Sequence, residues 1–344
     1  MNKTRVMVTG AGGASGLGTI KSLLRIDEVE IIGVDLNPLA VGLYISHKKA
    51  LLPRANSKEF ISKLIEVLKR EKVDVLIPNT SEEMYPIAKN IEEIKRHTSI
   101  IVSEPESIKI ADDKLRAHDH LTRKNIPVVR TISVKDEVDI AKAIGELSLP
   151  IAIKPRISRG GRGLFICSDL EEVSRSFKML REMMPFSDTF FGSEESDQII
   201  CQEHLPGTEY DVNILLNEDS EVVANVPMKA WRWDVHHQLR DIVTEHNKEV
   251  QSLAEKATKS LNLKGPIDVE MRFDKDEGLK ILEINSRTGG DVELASAAGC
   301  NIPHLTSKLS LGEDLKYIDF NDDVVLTRFI GFQTIKRSEI PDEI

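Results

Sequence analysis

Two apolar runs, Pro266-Ile-Asp-Val-Glu-Met-Arg-Phe273 and Leu279-Lys-Ile-Leu-Glu-Ile-Asn-Ser-Arg287, constrain the architecture of this chain more than any other feature. Between them Asp274 to Gly278 has the composition of a hairpin connection, so the runs are expected as neighbouring strands. Glu283 and Asn285 are two apart and project from one face of their strand, and Glu270 can face them from the other. Like charges so placed repel, whereas two carboxylates and an amide suit a hard cation such as Mg²⁺ that takes its remaining ligands from phosphate oxygens. A solvated acidic face is the plainer explanation, but Glu283 stands between Leu282 and Ile284 in an apolar run.

At 344 residues the chain exceeds one small core, and roughly 150 residues per domain predicts two or three lobes. The formal charge of -10 argues against a surface built to hold nucleic acid, which needs a basic face. Cys167, Cys201 and Cys300 are odd in number and widely spaced, which supports neither a disulfide framework nor a zinc site. The start runs from polar residues into a short apolar strand and glycines, unlike a signal peptide, and no run of about 18 apolar residues occurs. A cytoplasmic protein without a membrane span is the expectation.

The first hundred residues alternate strands, at Arg5 to Thr9, Glu30 to Asp35, Lys49 to Leu52, Asp74 to Pro78 and Ser99 to Val102, with helical patterns. The clearest helix is Ser57 to Arg70, with Ser57 as its cap. Such alternation predicts a parallel sheet with helices on its faces, here an N-terminal α/β domain over 1–105. Helices at Ala111 to Lys124, Glu137 to Leu147 and Leu170 to Met184 follow, with strands at Val128 to Ser133, Ile151 to Lys154 and Gly163 to Cys167. Longer antiparallel strands come next, at Ile199 to Glu203, Glu209 to Asn217 and Glu221 to Ala230, before a helix at Lys248 to Leu261. These give a two-lobed α+β domain over 106–344, with a smaller lobe at about 125–200 and a polar connection, Gly192 to Asp197, as a candidate hinge.

Two glycine segments invite a nucleotide. Met7-Val-Thr-Gly-Ala-Gly-Gly-Ala-Ser-Gly-Leu-Gly18 places a strand, a glycine turn and a helix start in order. Strict G-x-G-x-x-G fails at Ser15, although Gly10, Gly13 and Gly16 fit the looser spacing of short-chain dehydrogenases, with Asp35 as a ribose ligand. A tight strand-to-helix turn explains the glycines better, and Tyr44 with Lys48 imitates a catalytic pair by chance. The second segment, Ile151-Ala-Ile-Lys-Pro-Arg-Ile-Ser-Arg-Gly-Gly-Arg-Gly163, ends an apolar strand on Lys154 and follows it with a small basic loop. Gly160, Gly161 and Gly163 let a backbone approach phosphates, and a plain turn does not account for a lysine in that strand. No G-x-x-x-x-G-K-[ST] loop is present, so a different ATP cradle is needed.

Asp113-Lys114, the Lys154 to Gly163 loop, Gln202-Glu-His-Leu-Pro-Gly-Thr-Glu-Tyr210, Glu270 and Glu283-Ile-Asn-Ser-Arg287 occur in one order over nearly the whole chain. In that order they resemble the ATP-grasp superfamily, and within it single-copy relatives of the carbamoyl-phosphate synthase large subunit. The resemblance implies that Lys114 and Lys154 contact ATP phosphates and that Gly160, Gly161 and Gly163 close over them. It implies that Glu203, His204 and Leu205 line the adenine, that Glu209 accepts the ribose, and that Glu270, Glu283 and Asn285 bind Mg²⁺ or Mn²⁺. Arg287 would stabilise the transferring phosphoryl group. Ser286 departs from the N-P-R found in many relatives, and one repeat in place of two sets carbamoyl phosphate production itself aside.

The implied activity is a carboxylate-amine ligase that forms an acylphosphate from a small-molecule carboxylate and transfers the acyl group to an amine. The resemblance also raises the expectation of a homodimer. Within Lys229 to Arg240, Arg232, His237 and Arg240 are candidates for holding the carboxylate, and Trp231 and Trp233 either wall the pocket or pack beneath a loop. A non-catalytic ATP-binding subunit and an NAD(P)-dependent oxidoreductase are the alternatives.

Overall fold

The computed structural model describes residues 3–158, 160–183, 198–233, 240–275, 278–327 and 331–341. Two compact units are present: the first comprises Met1–Ile108, Tyr210–Val269 and Asn285–Ile344, the second Lys109–Glu209 and Glu270–Ile284.

The first unit begins with β1 (Thr4–Val8), α1 (Ala14–Leu23), β2 (Val29–Asp35), α2 (Val41–Ile45), β3 (Lys48–Leu51), α3 (Phe60–Glu71), β4 (Val75–Ile77), α4 (Ser81–Lys89) and α5 (Ile91–Ile94). The four strands form a parallel sheet in the order β3-β2-β1-β4. Alternate residues of each strand feed opposite layers: Val6, Val8, Ile31, Val75 and Ile77 join Ile20, Leu23 and Leu43, while Met7, Ile32, Val34 and Leu76 join Phe60, Leu64 and Leu68. Both faces are therefore covered, which is why these strands read as continuous apolar runs.

Two expectations in this region need correction. Helix α3 starts at Phe60, because Ser57 is spent in the preceding turn: its hydroxyl accepts from the Glu59 N–H at 3.2 Å and its carbonyl from the Phe60 N–H at 3.1 Å. The run Ser99 to Val102 forms a lone parallel bridge between Ser99 and Val75 and no longer strand.

After α6 (Pro105–Ala111) the second unit contains α7 (Lys114–Arg123), β5 (Thr131–Val134), α8 (Glu137–Leu147), β6 (Ile151–Pro155), β7 (Phe165–Cys167), α9 (Leu170–Met183) and β8 (Ile199–Glu203). The predicted Ala111 to Lys124 helix takes in the last residue of α6 and the whole of α7, because Asp113 leaves helical geometry to cap α7, accepting from the N–H groups of Leu115 and Arg116. The strand expected from Val128 begins at Thr131; Val128 itself makes one bridge to Ile281. Strand order is β5-β8-β6-β7, antiparallel throughout. Helices α8 and α9 cover one face, where Ile151, Ile153, Cys167 and Cys201 meet Ile140, Leu147, Phe177 and Leu180. By alternation Lys154 faces away from that core.

The chain continues through β9 (Glu209–Leu216), β10 (Val222–Trp233), β11 (Arg240–Thr244), α10 (Lys248–Ser260), β12 (Gly265–Phe273), β13 (Leu279–Asn285), α11 (Val292–Ala297), α12 (Ile302–Ser310) and β14 (Val325–Leu326). In the first unit β12, β9, β10, β11 and β14 are successive neighbours, and Val226, Met228 and Ile242 pack against Val292, Leu294, Ile302 and Phe320. The ends of β12 and β13 that belong to the second unit are neighbours there, as the hairpin pattern predicts. Among the described residues no helix is long and apolar enough to cross a membrane. The candidate hinge Gly192 to Asp197 lies outside the described residues.

Candidate functional site

Lys114 occupies the first position of α7, where the helix dipole disfavours a cation. Its side chain is nevertheless 2% exposed, and its Nζ lies 3.2 Å from Glu283 Oε2 on β13 and donates to the Ser158 carbonyl at 3.1 Å. Lys154 enters the same space from β6. Burial, and then the Lys114 ammonium, pull the Lys154 pKa down to about 8, against the opposing fields of Glu283, Glu270 and Glu209. Two ammonium groups and three carboxylates thus share one part of the second unit, and all five were singled out from the sequence. Among the described residues no set of three or more His, Cys, Asp or Glu side chains is arranged to hold a metal alone. A cation beside Glu270 and Glu283 would therefore complete its shell with other oxygens, as Mg²⁺ commonly does.

The loop after β6 supplies the left-handed conformations expected of its glycines: φ is +57° at Gly160, +67° at Gly161 and +73° at Gly163. A Cβ on Gly160 or Gly161 would meet nothing within 4 Å, whereas one on Gly163 would press on Leu180 and Pro155 at 2.9 and 3.1 Å.

The segment from Glu203 to Glu209 is held by charges that sequence reasoning passed over. Glu203 Oε1 accepts from the Arg130 N–H at 2.8 Å and from Lys280 Nζ at 2.9 Å, and its Oε2 accepts from Arg130 Nε at 2.7 Å. Burial raises the Glu203 pKa, but these donors together leave it below the usual carboxylate range. Arg272 donates to the Leu205 carbonyl at 3.2 Å and pairs with Glu209. Burial, then Arg272, pulls the His204 pKa down. Gly207 N–H donates to the Phe273 carbonyl at 3.0 Å, and a Cβ at Gly207 would lie 2.3 Å from that oxygen. The available signal was a charge inside an apolar strand: Arg272 stands two residues after Glu270, and Lys280 lies between Leu279 and Ile281.

Asn285 and Arg287 belong to the first unit. There Asp268, also missed from the sequence, gathers both: its Oδ2 accepts from Arg287 Nη1 at 3.2 Å and from Asn285 Nδ2 at 3.4 Å. Asn213 Oδ1 accepts from the Gly289 N–H at 3.0 Å, and a Cβ at Gly289 would fall 2.5 Å from that oxygen and 2.9 Å from Asp268. Asp268 precedes Glu270 by two on β12, a spacing the sequence displayed. Trp231 is 66% exposed; the side chains of Arg232, Trp233 and Arg240, and all of His237, lie outside the described residues.

The N-terminal glycine turn is occupied by its own chain. Asp35 Oδ2 accepts from the Gly12 N–H at 2.7 Å, and its Oδ1 accepts from the Asn37 N–H at 2.8 Å. Added Cβ atoms would lie 2.1 Å from the Gly10 carbonyl oxygen at Gly16 and 2.9 Å from Ala40 Cβ at Gly12. Tyr44 donates to the Pro38 carbonyl and Lys48 pairs with Glu30 and Glu71, so the two do not act together.

Residues 195–329 match a family model described as ATP-grasp in the biosynthetic pathway with Ter operon, and residues 12–102 match the PylC-like N-terminal domain. The carbamoyl phosphate synthase large chain of Clostridium perfringens is 23% identical over 88% of this chain, and the chain spans only 28% of that relative. The carbamoyl-phosphate synthase of Methanobrevibacter smithii is 22% identical over 84% of this chain and 76% of its own length. Among solved structures, the biotin carboxylase domain dimer of Hydrogenobacter thermophilus 2-oxoglutarate carboxylase, in complex with MgADP and bicarbonate, aligns with a TM-score of 0.73 at 16% identity. It covers 94% of this chain and 74% of that one. Staphylococcus aureus N5-carboxyaminoimidazole synthetase, complexed with ADP, aligns with a TM-score of 0.69 at 16% identity over 93% of this chain and 81% of that one.

Proposed function

This chain has the ATP-grasp fold, and from that premise we propose that it is an ATP-dependent ligase that activates a small-molecule carboxylate as an acylphosphate for attack by an amine or ammonia. The observation that carries the reading is the gathering of Lys114 and Lys154 against Glu283, Glu270 and Glu209. Ammonium groups beside carboxylates suit a metal-bound polyanion such as Mg-triphosphate, whose phosphates take the lysines and whose cation takes the carboxylates. Glu209 is the proposed ribose acceptor, and the backbone of Glu203, His204 and Leu205 the proposed adenine edge. The structures solved with MgADP and ADP support the same ligand class.

Glu270 and Glu283, with Asn285 on the same face of β13 as Glu283, fit Mg²⁺, which when bound would neutralise charge on the phosphate oxygens. The chain's own residues then do three things. Lys114 and Lys154 withdraw charge from the phosphates, the glycine loop closes its N–H groups over them, and Arg287 is the proposed stabiliser of the group in flight. A substrate carboxylate oxygen attacks the γ-phosphorus as ADP departs; a neutral amine then attacks the acyl carbon, phosphate leaves with the C–O bond electrons, and the nitrogen gives its extra proton to the departing phosphate or water. No covalent protein nucleophile is required, because phosphoryl transfer depends on alignment and charge neutralisation.

ADP release measured with panels of carboxylates and amines tests the reading. Turnover that survives unchanged in Glu283→Ala would falsify the site assignment, and ATP binding without turnover on any pair would favour the non-catalytic subunit.

A further inference from the structure

We infer that the buried ion pair between Asp113 and Arg156 is a positioning device that sets Lys114 and Lys154 side by side; the inference rests on the ATP-binding reading above. Asp113 Oδ1 accepts from Arg156 Nε at 2.7 Å and also from the N–H groups of Leu115 and Arg116 at 3.1 and 3.2 Å. The carboxylate is 2% exposed and the guanidinium 8%. Capping α7 does not call for a charge, since Asn or Ser caps a helix as well as Asp does. Nor does β6 need the guanidinium to continue its pairing, because the Arg156 backbone N–H already donates to the Gln198 carbonyl at 2.8 Å. A buried ion pair is a weak source of stability, and its best-attested use is to fix register.

The register fixed here joins the two lysines. Asp113 immediately precedes Lys114, and Arg156 follows Lys154 by two residues, one beyond the end of β6. The two ammonium groups carry like charge and repel, even with Glu283 Oε2 3.2 Å from Lys114 Nζ. A clamp one residue from Lys114 and two from Lys154 holds them together before any polyanion arrives. At the root of the glycine loop the Ser158 carbonyl is tied to Lys114, while farther along a Cβ at Gly160 or Gly161 would meet nothing within 4 Å. The pair thus anchors the root of the loop.

The test is calorimetric titration of the full chain with Mg-ATP and, separately, with adenosine, which reports the base-binding segment without the phosphates. In Arg156→Met the affinity for Mg-ATP should fall about tenfold or more while that for adenosine changes about twofold or less, the range expected when a coupled charge network loses one member. Arg156→Lys should recover part of the loss. Asp113→Asn keeps a good cap and should show the same ATP-selective loss, and the double variant should be no weaker than the worse single one. If Arg156→Met does not fold, Arg156→Lys and Asp113→Asn carry the same comparison. Equal losses for ATP and adenosine, or no loss for either, overturn the positioning role. A wild-type chain that binds no Mg-ATP overturns the ATP reading as well, which separates the two failures.

Discussion

The two glycine segments look alike in sequence and are opposites in structure. In the N-terminal turn a Cβ at Gly16 would lie 2.1 Å from the Gly10 oxygen, and the Gly12 N–H is already taken by Asp35. In the loop after β6, Gly160 and Gly161 hold left-handed conformations with open space where a Cβ would go. Packing requires the first set, whereas at Gly160 and Gly161 only the left-handed backbone calls for glycine, and the space a Cβ would fill is open. Glycine spacing alone therefore says little about nucleotides; what surrounds the missing Cβ says more.

The contrast predicts that changes at the loop and its lysines alter chemistry, while changes at the turn alter folding. The largest effect is expected from Lys154→Met, which should lower ADP release by roughly 10²–10³-fold, in line with losing one preorganised charge at a phosphoryl-transfer site. Its unfolding midpoint should not drop, because the lysine removed is one whose charged form burial disfavours. A variant with full turnover would remove the distinction between the segments. Gly16→Ala should do the reverse, losing about 3 kcal/mol of unfolding free energy because backbone must move to admit the methyl. Denaturant unfolding measures this, and the fraction that remains folded should bind Mg-ATP normally.

How much of this was legible beforehand follows the range of the interactions. Periodicity placed α8 at Glu137–Leu147 and put Glu270, Glu283 and Lys154 on their strands, since each depends on neighbours two to four residues away. It missed the partners that position them. Arg156 lies 43 residues from Asp113 and Arg272 lies 63 from Glu209, and no local pattern announces a pairing over such distances. Strand β11 escaped for a related reason: Arg240–Thr244 is short, and its residues become a strand through pairing with β10 and β14. Ser57 had the composition of a cap and was used one turn early, which composition cannot distinguish.

The turn region makes a pH prediction that sharpens the comparison. Glu83, at the first turn of α4, accepts from the Thr9 hydroxyl; burial, with a smaller push from Asp35, raises its pKa to about 7 against the opposing Thr9 and Thr80 bonds. A carboxyl whose folded pKa lies above its unfolded value of 4.5 binds its proton more tightly when folded. Its contribution is thus fully present below about pH 4.5 and is lost as pH rises through about 7. Allowing for partial exposure, the loss should amount to roughly 2 kcal/mol. Unfolding free energies compared at pH 5 and pH 8 should show that slope in the wild type and little of it in Glu83→Gln. An equal slope in the variant would assign the pH dependence to another group.

Of the two glycine variants Gly161→Ala has the smaller folding effect, and it is the finest division between the two segments. Its φ of +67° penalises any side chain, but the new methyl meets no atom within 4 Å, so only the backbone term remains, about 1 kcal/mol. The site reading adds a separate consequence: the methyl would stand where the loop backbone must approach the phosphates, so the KM for ATP should rise by roughly tenfold, an effect far larger than the change in folding would suggest. Steady-state kinetics beside a denaturation curve measures both. A rise in KM with a nearly intact fold makes the open space at Gly161 the mark of a ligand; an unchanged KM reduces it to a turn that happens to face solvent, and the two glycine segments would then differ only in how tightly they pack.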